Sequence, residues 1–253
     1  MTGLALWRGS LSPSGAAVAL VVGTLTFGLG GWQWGALLGL FFVTSSLLSH
    51  YKEREKQAAA EKFDKGHRRD GGQVLANGGL GSGAAVLSFI TGSPLWFPFF
   101  LGMMATVNAD TWATELGTLA RRPPRLITSG RPVEVGTSGA ISPLGTAVSL
   151  LGGLLIGLAA GLLSRDINLG LAALMGAAGG LGGSLFDSLL GATVQRIYYC
   201  DTCQKDTERK IHQRCGRPTR PLRGWPWLNN DLVNLLSSAV GGVVAVILWA
   251  GLR

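Results

Sequence analysis

Seven apolar segments, each close to the length needed to cross a lipid bilayer, dominate this sequence. They cover about residues 14–30, 32–50, 73–92, 95–118, 139–163, 168–196 and 231–251. A membrane-spanning helix needs about 20 predominantly apolar residues. Only 14% of the residues are charged, against about 25% in soluble domains, and the 39 glycines suit close helix packing in lipid. The sequence therefore predicts an all-α, polytopic transmembrane helix bundle that forms a single domain over residues 1–253.

Basic residues divide sharply between the two ends of the predicted spans. The N-terminal segment, the loops 51–72, 119–138 and 197–230, and Arg196 hold every Lys and Arg except Arg165 and Arg253. In membrane proteins the cytoplasmic loops carry the excess of Lys and Arg. We therefore expect the N-terminus and these loops to be cytoplasmic and the C-terminus to lie on the opposite side of the membrane.

Polar residues in five of the spans fall near the predicted cytoplasmic end. The acids are Asp110, Glu115, Asp187 and Asp231; the other polar residues at this depth include Gln73, Asn77, Asn108, Thr111, Ser142, Asn230 and Asn234. Ionisable groups within a bilayer are costly and mark functional sites. Structural roles remain open, because Asn230 or Asp231 would suit a helix cap and Glu115 would suit a position among headgroups. The layout predicts a site in the membrane that faces the cytosol.

Helical spacing refines the geometry of the fourth span, which contains the motif NADTWATELG. Asn108, Thr111 and Glu115 share one face because they are separated by three and four residues. Asp110 and Glu115 are about 140° apart around an ideal helix. They can therefore serve one ion only if the helix is distorted or the site wraps around its end.

Acids beside basic loops favour the binding of phosphates. Carboxylates suit Mg²⁺, which binds a few carboxylates together with phosphate oxygens, and Arg and Lys neutralise phosphate. The segment GTSGAISPLG at the start of the fifth span can offer backbone N–H groups to an anion. Because no GxxxxGK[ST] motif is present, a P-loop nucleotide site is not expected. The pattern therefore indicates a phosphorylated substrate handled at the membrane surface.

The loop 197–230 is the segment that most resembles a small soluble module. It contains the motif C-x2-C-x8-H-x2-C, formed by Cys200, Cys203, His212 and Cys215. In a reducing compartment these residues are either free thiols or metal ligands. Four such side chains suit a structural zinc ion, with no open position for catalysis.

Several longer motifs resemble the membrane family that contains plant phytyl-phosphate kinase and transmembrane protein 19. They are KGHRRDGGQVLANGG, NADTWATELG, GTSGAISPLGT, GGSLFDSLLGATVQ and GWPWLNNDLVNLLSS, and the cysteine loop also fits. The resemblance covers about residues 45–240. It implies phosphoryl transfer from a nucleoside triphosphate, CTP or ATP, to an isoprenyl monophosphate such as phytyl phosphate, giving the diphosphate.

The family activity and the residue pattern together suggest a role for each group of polar residues. Mg²⁺ would be bound by Asp110 and Asp187 with Glu115 or Asp231. Phosphates would be held by Lys65, Arg68 and Arg69, although these cations also suit simple anchoring at the cytoplasmic face. The donor site would be lined by Thr137, Ser138 and Gly139, and ligands would be oriented by Gln73, Asn77, Asn108, Thr111, Ser142, Asn230 and Asn234. The prenyl tail would lie between apolar helix faces in the membrane lipid.

Two alternative functions remain open at this stage. An ion-coupled transporter of a small or lipidic anion would use the same acids, but transporter sites tend to lie near the midplane between related repeats, and no repeat is evident here. A non-enzymatic scaffold that binds a partner through the cysteine loop would leave the intramembrane acids without a role. No nucleic-acid partner is expected.

Overall fold

The computed structural model describes residues 2–7, 9–52, 55–56, 68–164 and 166–253. A short helix, α1 (Thr2–Trp7), is followed by seven long ones: α2 (Pro13–Gly30), α3 (Trp32–His50), α4 (Gly71–Thr91), α5 (Trp96–Gly117), α6 (Pro143–Leu163), α7 (Leu169–Thr193) and α8 (Asn230–Leu252). These seven coincide with the predicted spans. By length and composition, α2, α4, α6, α7 and α8 could each cross a membrane. The predicted helical membrane bundle is therefore confirmed.

Five short β-strands in the loops were not predicted. A two-stranded antiparallel sheet pairs β1 (Arg125–Leu126) with β2 (Ala140–Ile141). A three-stranded antiparallel sheet in the order β4-β3-β5 is formed by β3 (Ile197–Cys200), β4 (Lys205–Thr207) and β5 (Arg220–Arg223). The first sheet folds the loop before α6 back on itself, and the second builds the Cys/His module, which we define as residues 197–223.

The helix α5 occupies the centre of the bundle and packs against α3, α4, α6, α7 and α8. Its residues from Phe100 to Ala109 are all buried. This central position explains how a helix with several polar side chains is tolerated in a membrane protein, because its neighbours shield those side chains from lipid.

Glycines bring the backbones of α5, α7 and α8 into direct contact. A Cβ atom added at Gly102 would lie 2.2 Å from the carbonyl oxygen of Gly241, and one added at Gly179 would lie 2.9 Å from that oxygen. Thr106 donates a hydrogen bond of 3.0 Å to the carbonyl oxygen of Gly179 across this interface. The small-residue packing expected from the glycine content is therefore present.

Polar side chains cap the helices that begin at the polar end of the bundle. Asp70 and Gln73 form a capping box at the start of α4, and Ser142 accepts from Gly145 N at 3.0 Å at the start of α6. In contrast, the helix α3 ends at His50. Tyr51 leaves the helix with an extended backbone.

Candidate active site

A polar cavity of about 290 Å³ lies among α4, α5, α6, α7 and α8, at the end where α4, α6 and α8 begin and α5 and α7 finish. The segment around β2 and part of the Cys/His module also line it. The structure brings most of the predicted site residues together in its wall: Arg69, Gln73, Asn77, Asp110, Thr111, Glu115, Thr137, Ser138, Gly139, Ser142, Asp187, Asn230 and Asn234.

Asp110 and Asp187 form an acidic pair across the interface between α5 and α7. Both carboxyl groups line the polar cavity, and the Ser184 hydroxyl, one turn before Asp187 on α7, donates a 3.5 Å hydrogen bond to Asp110 Oδ1. Asp187 Oδ2 is buried and accepts no hydrogen bond from the part of the chain that the structure describes. A buried carboxylate oxygen without a donor is costly. The Asp187 carboxylate, with this free oxygen, and the neighbouring Asp110 carboxylate fit the oxygen ligands that a hard divalent cation prefers.

Glu115 lines the same cavity but has partners of its own. It forms an ion pair with Lys56 and accepts a 2.7 Å hydrogen bond from the Ser49 hydroxyl. The Lys56 ammonium also donates to the carbonyl oxygen of Leu48 at 2.7 Å. Lys56 belongs to the highly charged loop 51–72, yet the residue is only 4% exposed. Glu115 is about 140° from Asp110 around the helix, so it contacts different residues. Its charge is neutralised by Lys56.

Arg69 is held at the cavity by its backbone. Its carbonyl oxygen accepts from Ser12 N at 2.9 Å, and its N–H donates to the carbonyl oxygen of Ser10 at 3.1 Å. The guanidinium lies 5.6 Å from the centre of the Phe41 ring. Burial lowers the pKa of Arg69, and the Glu115 carboxylate opposes that shift, but an arginine stays charged. The result is a half-buried cation, held in place by its backbone, that lines the cavity and suits a phosphate group.

The segment around β2 presents backbone groups and hydroxyls to the cavity. Gly139 has a φ of 82°, and a Cβ atom there would lie 2.3 Å from the backbone nitrogen of Ala192. Only glycine therefore allows this segment to lie against the end of α7. The following residues lead into α6, whose N-terminus, capped by Ser142, opens on the cavity and favours an anion.

At the start of α8, Asn229 is the residue that caps the helix. Its Oδ1 accepts from Leu232 N at 3.1 Å, so the expectation that Asn230 or Asp231 would cap this helix is wrong. Asn230 and Asn234 lie four positions apart, share one face and line the cavity. Asp231 is rotated about 100° from Asn230 and does not line the cavity, so its predicted role as a Mg²⁺ ligand receives no support.

Two other predicted site residues that the structure describes, Arg68 and Asn108, do not line the cavity. Lys65 lies outside the described residues. Arg68 is exposed and its Nε donates to the carbonyl oxygen of Leu11 at 3.0 Å, so this side chain helps to hold the N-terminal segment instead of a phosphate.

Asn108 is fully buried and connects helices instead of orienting a ligand. Its Nδ2 donates to the carbonyl oxygen of Gly152 in α6 at 2.8 Å, and its Oδ1 accepts from the Thr44 hydroxyl of α3 at 3.0 Å. Both ends of the amide are therefore used in packing, and a buried amide must be satisfied in this way.

Glu208 is a cavity residue that the sequence reasoning missed. It follows β4 in the Cys/His module, and its Oε1 accepts from the Ser138 hydroxyl at 2.8 Å and from Gln195 Nε2 at 2.7 Å. It lines the same cavity as Asp110 and Asp187. In the sequence CQKDTERK this residue looks like one charge of a solvated loop, and only the chain path over the membrane helices reveals its position.

The four residues of the C-x2-C-x8-H-x2-C motif are brought together as predicted. The ligand atoms of Cys200, Cys203, His212 and Cys215 lie within 4.8 Å of one another, and the Cys200 and Cys215 sulfurs are 3.5 Å apart. Two sulfurs bound to tetrahedral zinc lie about 3.8 Å apart. A hydrogen bond from the Arg217 backbone lowers the pKa of Cys215 to about 6, while a hydrogen bond with Cys215 raises the pKa of Cys203 to about 11. This cluster could hold a metal ion, and its ligands suit zinc.

Comparison with protein families decides the class of the chain, because residues 1–242 match the family described as integral membrane protein DUF92. The chain belongs to this family. DUF92 membership agrees with the resemblance in the motifs and with the multi-pass membrane character of the helices. No solved structure matches the chain.

The relatives of this DUF92 chain include plant and archaeal proteins. It is 33% identical to Protein PGR of Arabidopsis thaliana, with 91% of this chain and 86% of the relative covered. It is also 33% identical to an uncharacterized membrane protein of Methanocaldococcus jannaschii, with 96% and 87% covered. Its identity to Protein VTE6, chloroplastic, of Arabidopsis thaliana is 28%, with 94% of this chain and 65% of the relative covered.

Proposed function

We propose that this DUF92 protein transfers the γ-phosphoryl group of CTP or ATP to an isoprenyl monophosphate, such as phytyl phosphate, in a Mg²⁺-dependent reaction at the cytoplasmic face of the membrane. The observation that carries the proposal is the acidic pair of Asp110 and Asp187, which shares one cavity with the half-buried cation Arg69. Carboxylates for a divalent ion and a cation for phosphate are the parts that phosphoryl transfer requires.

The reaction needs no general base. An oxygen of the acceptor monophosphate, which is mostly ionised at neutral pH, attacks the γ-phosphorus, and the bond from that phosphorus to the β–γ bridging oxygen breaks. The products are the prenyl diphosphate and a nucleoside diphosphate, and no proton is released. Because both reactants are anions, catalysis rests on charge neutralisation and in-line positioning.

Each part of the cavity has a role in this reaction. Asp110 and Asp187 would hold Mg²⁺, which when bound neutralises phosphate oxygens. Arg69 would bind the acceptor phosphate. The N-terminus of α6 and the segment Thr137–Ser142 would bind the donor phosphates, while Asn230 and Asn234 would orient them. Glu115 keeps Lys56 at the cavity wall instead of binding the metal ion.

Ion-coupled transport is the alternative function, and the cavity position argues against it. The acids line a cavity at one end of the bundle, where three helices begin. Transporter sites tend to lie near the middle of the membrane, between repeats and at broken helices. Since α5 and α7 run as continuous helices through both acids, the geometry supports the enzyme over the transporter.

The test is a direct assay of the purified protein in nanodiscs with Mg²⁺, a single nucleotide and a prenyl monophosphate. CTP, ATP, GTP and UTP are each combined with phytyl, farnesyl and geranylgeranyl monophosphate, and the products are analysed by mass spectrometry. We expect prenyl diphosphate and nucleoside diphosphate in equal amounts. If every combination fails while the protein in liposomes drives gradient-dependent anion uptake, the kinase proposal is wrong.

A further inference from the structure

A second cavity of about 250 Å³ lies among α2, α3 and α4, away from the acidic pair. Its wall is almost entirely apolar, and the side chains that define it are Val22, Phe27, Leu38, Phe42, Val74 and the backbone at Gly78. Phe27 is 59% exposed, so the cavity is open on the outer surface of the bundle. In a membrane protein this surface faces lipid, and we refer to the cavity as the lateral groove.

The lateral groove meets the polar cavity at two residues. Arg69 and Asn77 line both. The Arg69 guanidinium lies over the rings of Phe41 and Phe42, with distances to the ring centres of 5.6 and 6.0 Å, and both phenylalanines also line the groove. The apolar channel therefore ends at a fixed positive charge, beyond which the acidic pair lies.

Two glycines keep the lateral groove open. Gly23 of α2 and Gly39 of α3 line it, and a Cβ atom at either position would meet no other atom within 4 Å. In contrast, the space beside Gly35 is filled by Phe27, and the space beside Gly78 is filled by Val22. A bulky side chain at Gly23 or Gly39 would therefore fill free volume in the groove.

We propose that the lateral groove binds the isoprenyl chain of the acceptor, with its phosphate at Arg69 and Asn77. This assignment rests on the proposed kinase function, and it adds the location of the lipid tail and the route of entry from the bilayer. An amphiphile with one anionic end and an apolar chain matches a groove that is apolar along its length and positive where it joins the polar cavity. Ordinary phospholipid is the competing occupant.

The first test measures binding without turnover. A prenyl monophosphate with a diazirine in its tail is photolysed with the wild-type protein in nanodiscs, without Mg²⁺ or nucleotide, and labelled peptides are mapped by mass spectrometry. We expect labels on α2 and α3 around Phe27, Leu38 and Phe42, with competition by phytyl phosphate and no competition by phosphatidic acid. Labels elsewhere, or equal competition by phosphatidic acid, would overturn the assignment whether or not the kinase assay succeeds.

The second test compares substrates with long and short prenyl tails in variants of the lateral groove. Gly23→Leu and Gly39→Leu are expected to raise the KM for phytyl phosphate about tenfold, because an added side chain overpacks the site, and to leave the KM for dimethylallyl phosphate within about twofold. Gly28→Leu is the matched control, since Gly28 of α2 also has open space but does not line the groove. Equal effects on both substrates, or an effect of Gly28→Leu as large as those in the groove, would contradict the proposal. Thermal unfolding in detergent verifies that each variant is folded.

Discussion

Gln195 Nε2 donates a 2.7 Å hydrogen bond to Glu208 Oε1 and thereby joins the end of α7 to the Cys/His module. Ser138 donates to the same oxygen at 2.8 Å. The loop before α6, the end of α7 and the Cys/His module thus converge on one carboxylate. Because that carboxylate lines the polar cavity, the module and the membrane helices build the candidate site together.

Two substitutions of Glu208 distinguish a role in positioning its neighbours from a need for its negative charge. If the residue acts by holding Ser138 and Gln195 in place, Glu208→Ala should lower kcat at least about tenfold, whereas Glu208→Gln keeps an oxygen acceptor and should retain most of the activity. Steady-state phosphoryl transfer with phytyl phosphate measures both. Equal losses in the two variants would instead show that the negative charge itself is needed at the cavity.

Removal of metal from the Cys/His module should disturb the polar cavity. We expect about one zinc ion per chain in purified protein, measured by elemental analysis. Cys203→Ser should lose the metal and lower phosphoryl transfer, and added Mg²⁺ should not restore it. Asp201→Asn changes an exposed residue of the same module that pairs with Arg220, and it should keep both metal and activity. Full activity in zinc-free protein would contradict this prediction.

Phosphoryl transfer should require the negative charge of the acidic pair, Asp110 and Asp187. Asp187→Asn keeps the size of the side chain but weakens its binding of a divalent cation. Loss of a group that only supports a metal ligand lowers metal affinity or activity about 10- to 100-fold. Because Asp187 would bind the ion itself, we expect activity to fall by more than about 100-fold. The melting temperature should be unchanged or raised. The matched control is Asp166→Asn, at an exposed residue between α6 and α7, which should stay within about twofold of wild type. Normal turnover in Asp187→Asn would refute the metal-binding role.

The ion pair between Lys56 and Glu115 should contribute to stability through mutual neutralisation. The two side chains are 5% and 17% exposed, and removal of one partner of a buried pair costs about 3 to 5 kcal/mol because the other charge is left buried. Lys56→Met or Glu115→Gln should therefore lower the melting temperature in detergent, and the double variant Lys56→Met/Glu115→Gln should recover part of the loss. Additive losses in the double variant would show that the residues act independently.

The helices were predictable because their signal is local. Apolar length and the breaks at glycine, proline and charged residues place each helix within a few residues of its observed limits, as for α3, predicted at 32–50 and observed at Trp32–His50. The meeting of polar residues was also predictable, because charge is so costly in lipid that five spans with polar residues at one depth imply a shared site.

The roles of individual polar residues were harder to predict, because they depend on partners from other helices. Asn108 and Asn234 look alike in sequence. The Asn108 amide, however, forms hydrogen bonds with Thr44 and Gly152, whereas Asn234 lines the cavity. Glu208 carries no local signal at all, since its position follows from the return path of the Cys/His module across the bundle.

The glycine contacts among α5, α7 and α8 set how this architecture can diversify. Where main chains touch, as at Gly102 of α5 and Gly179 of α7, there is no side chain to enlarge or trim, so the distance between the two acids is set by the backbone itself. Adaptation to a different lipid must therefore take place on the opposite flank, where α2 and α3 expose side chains that can change size without moving the reacting groups.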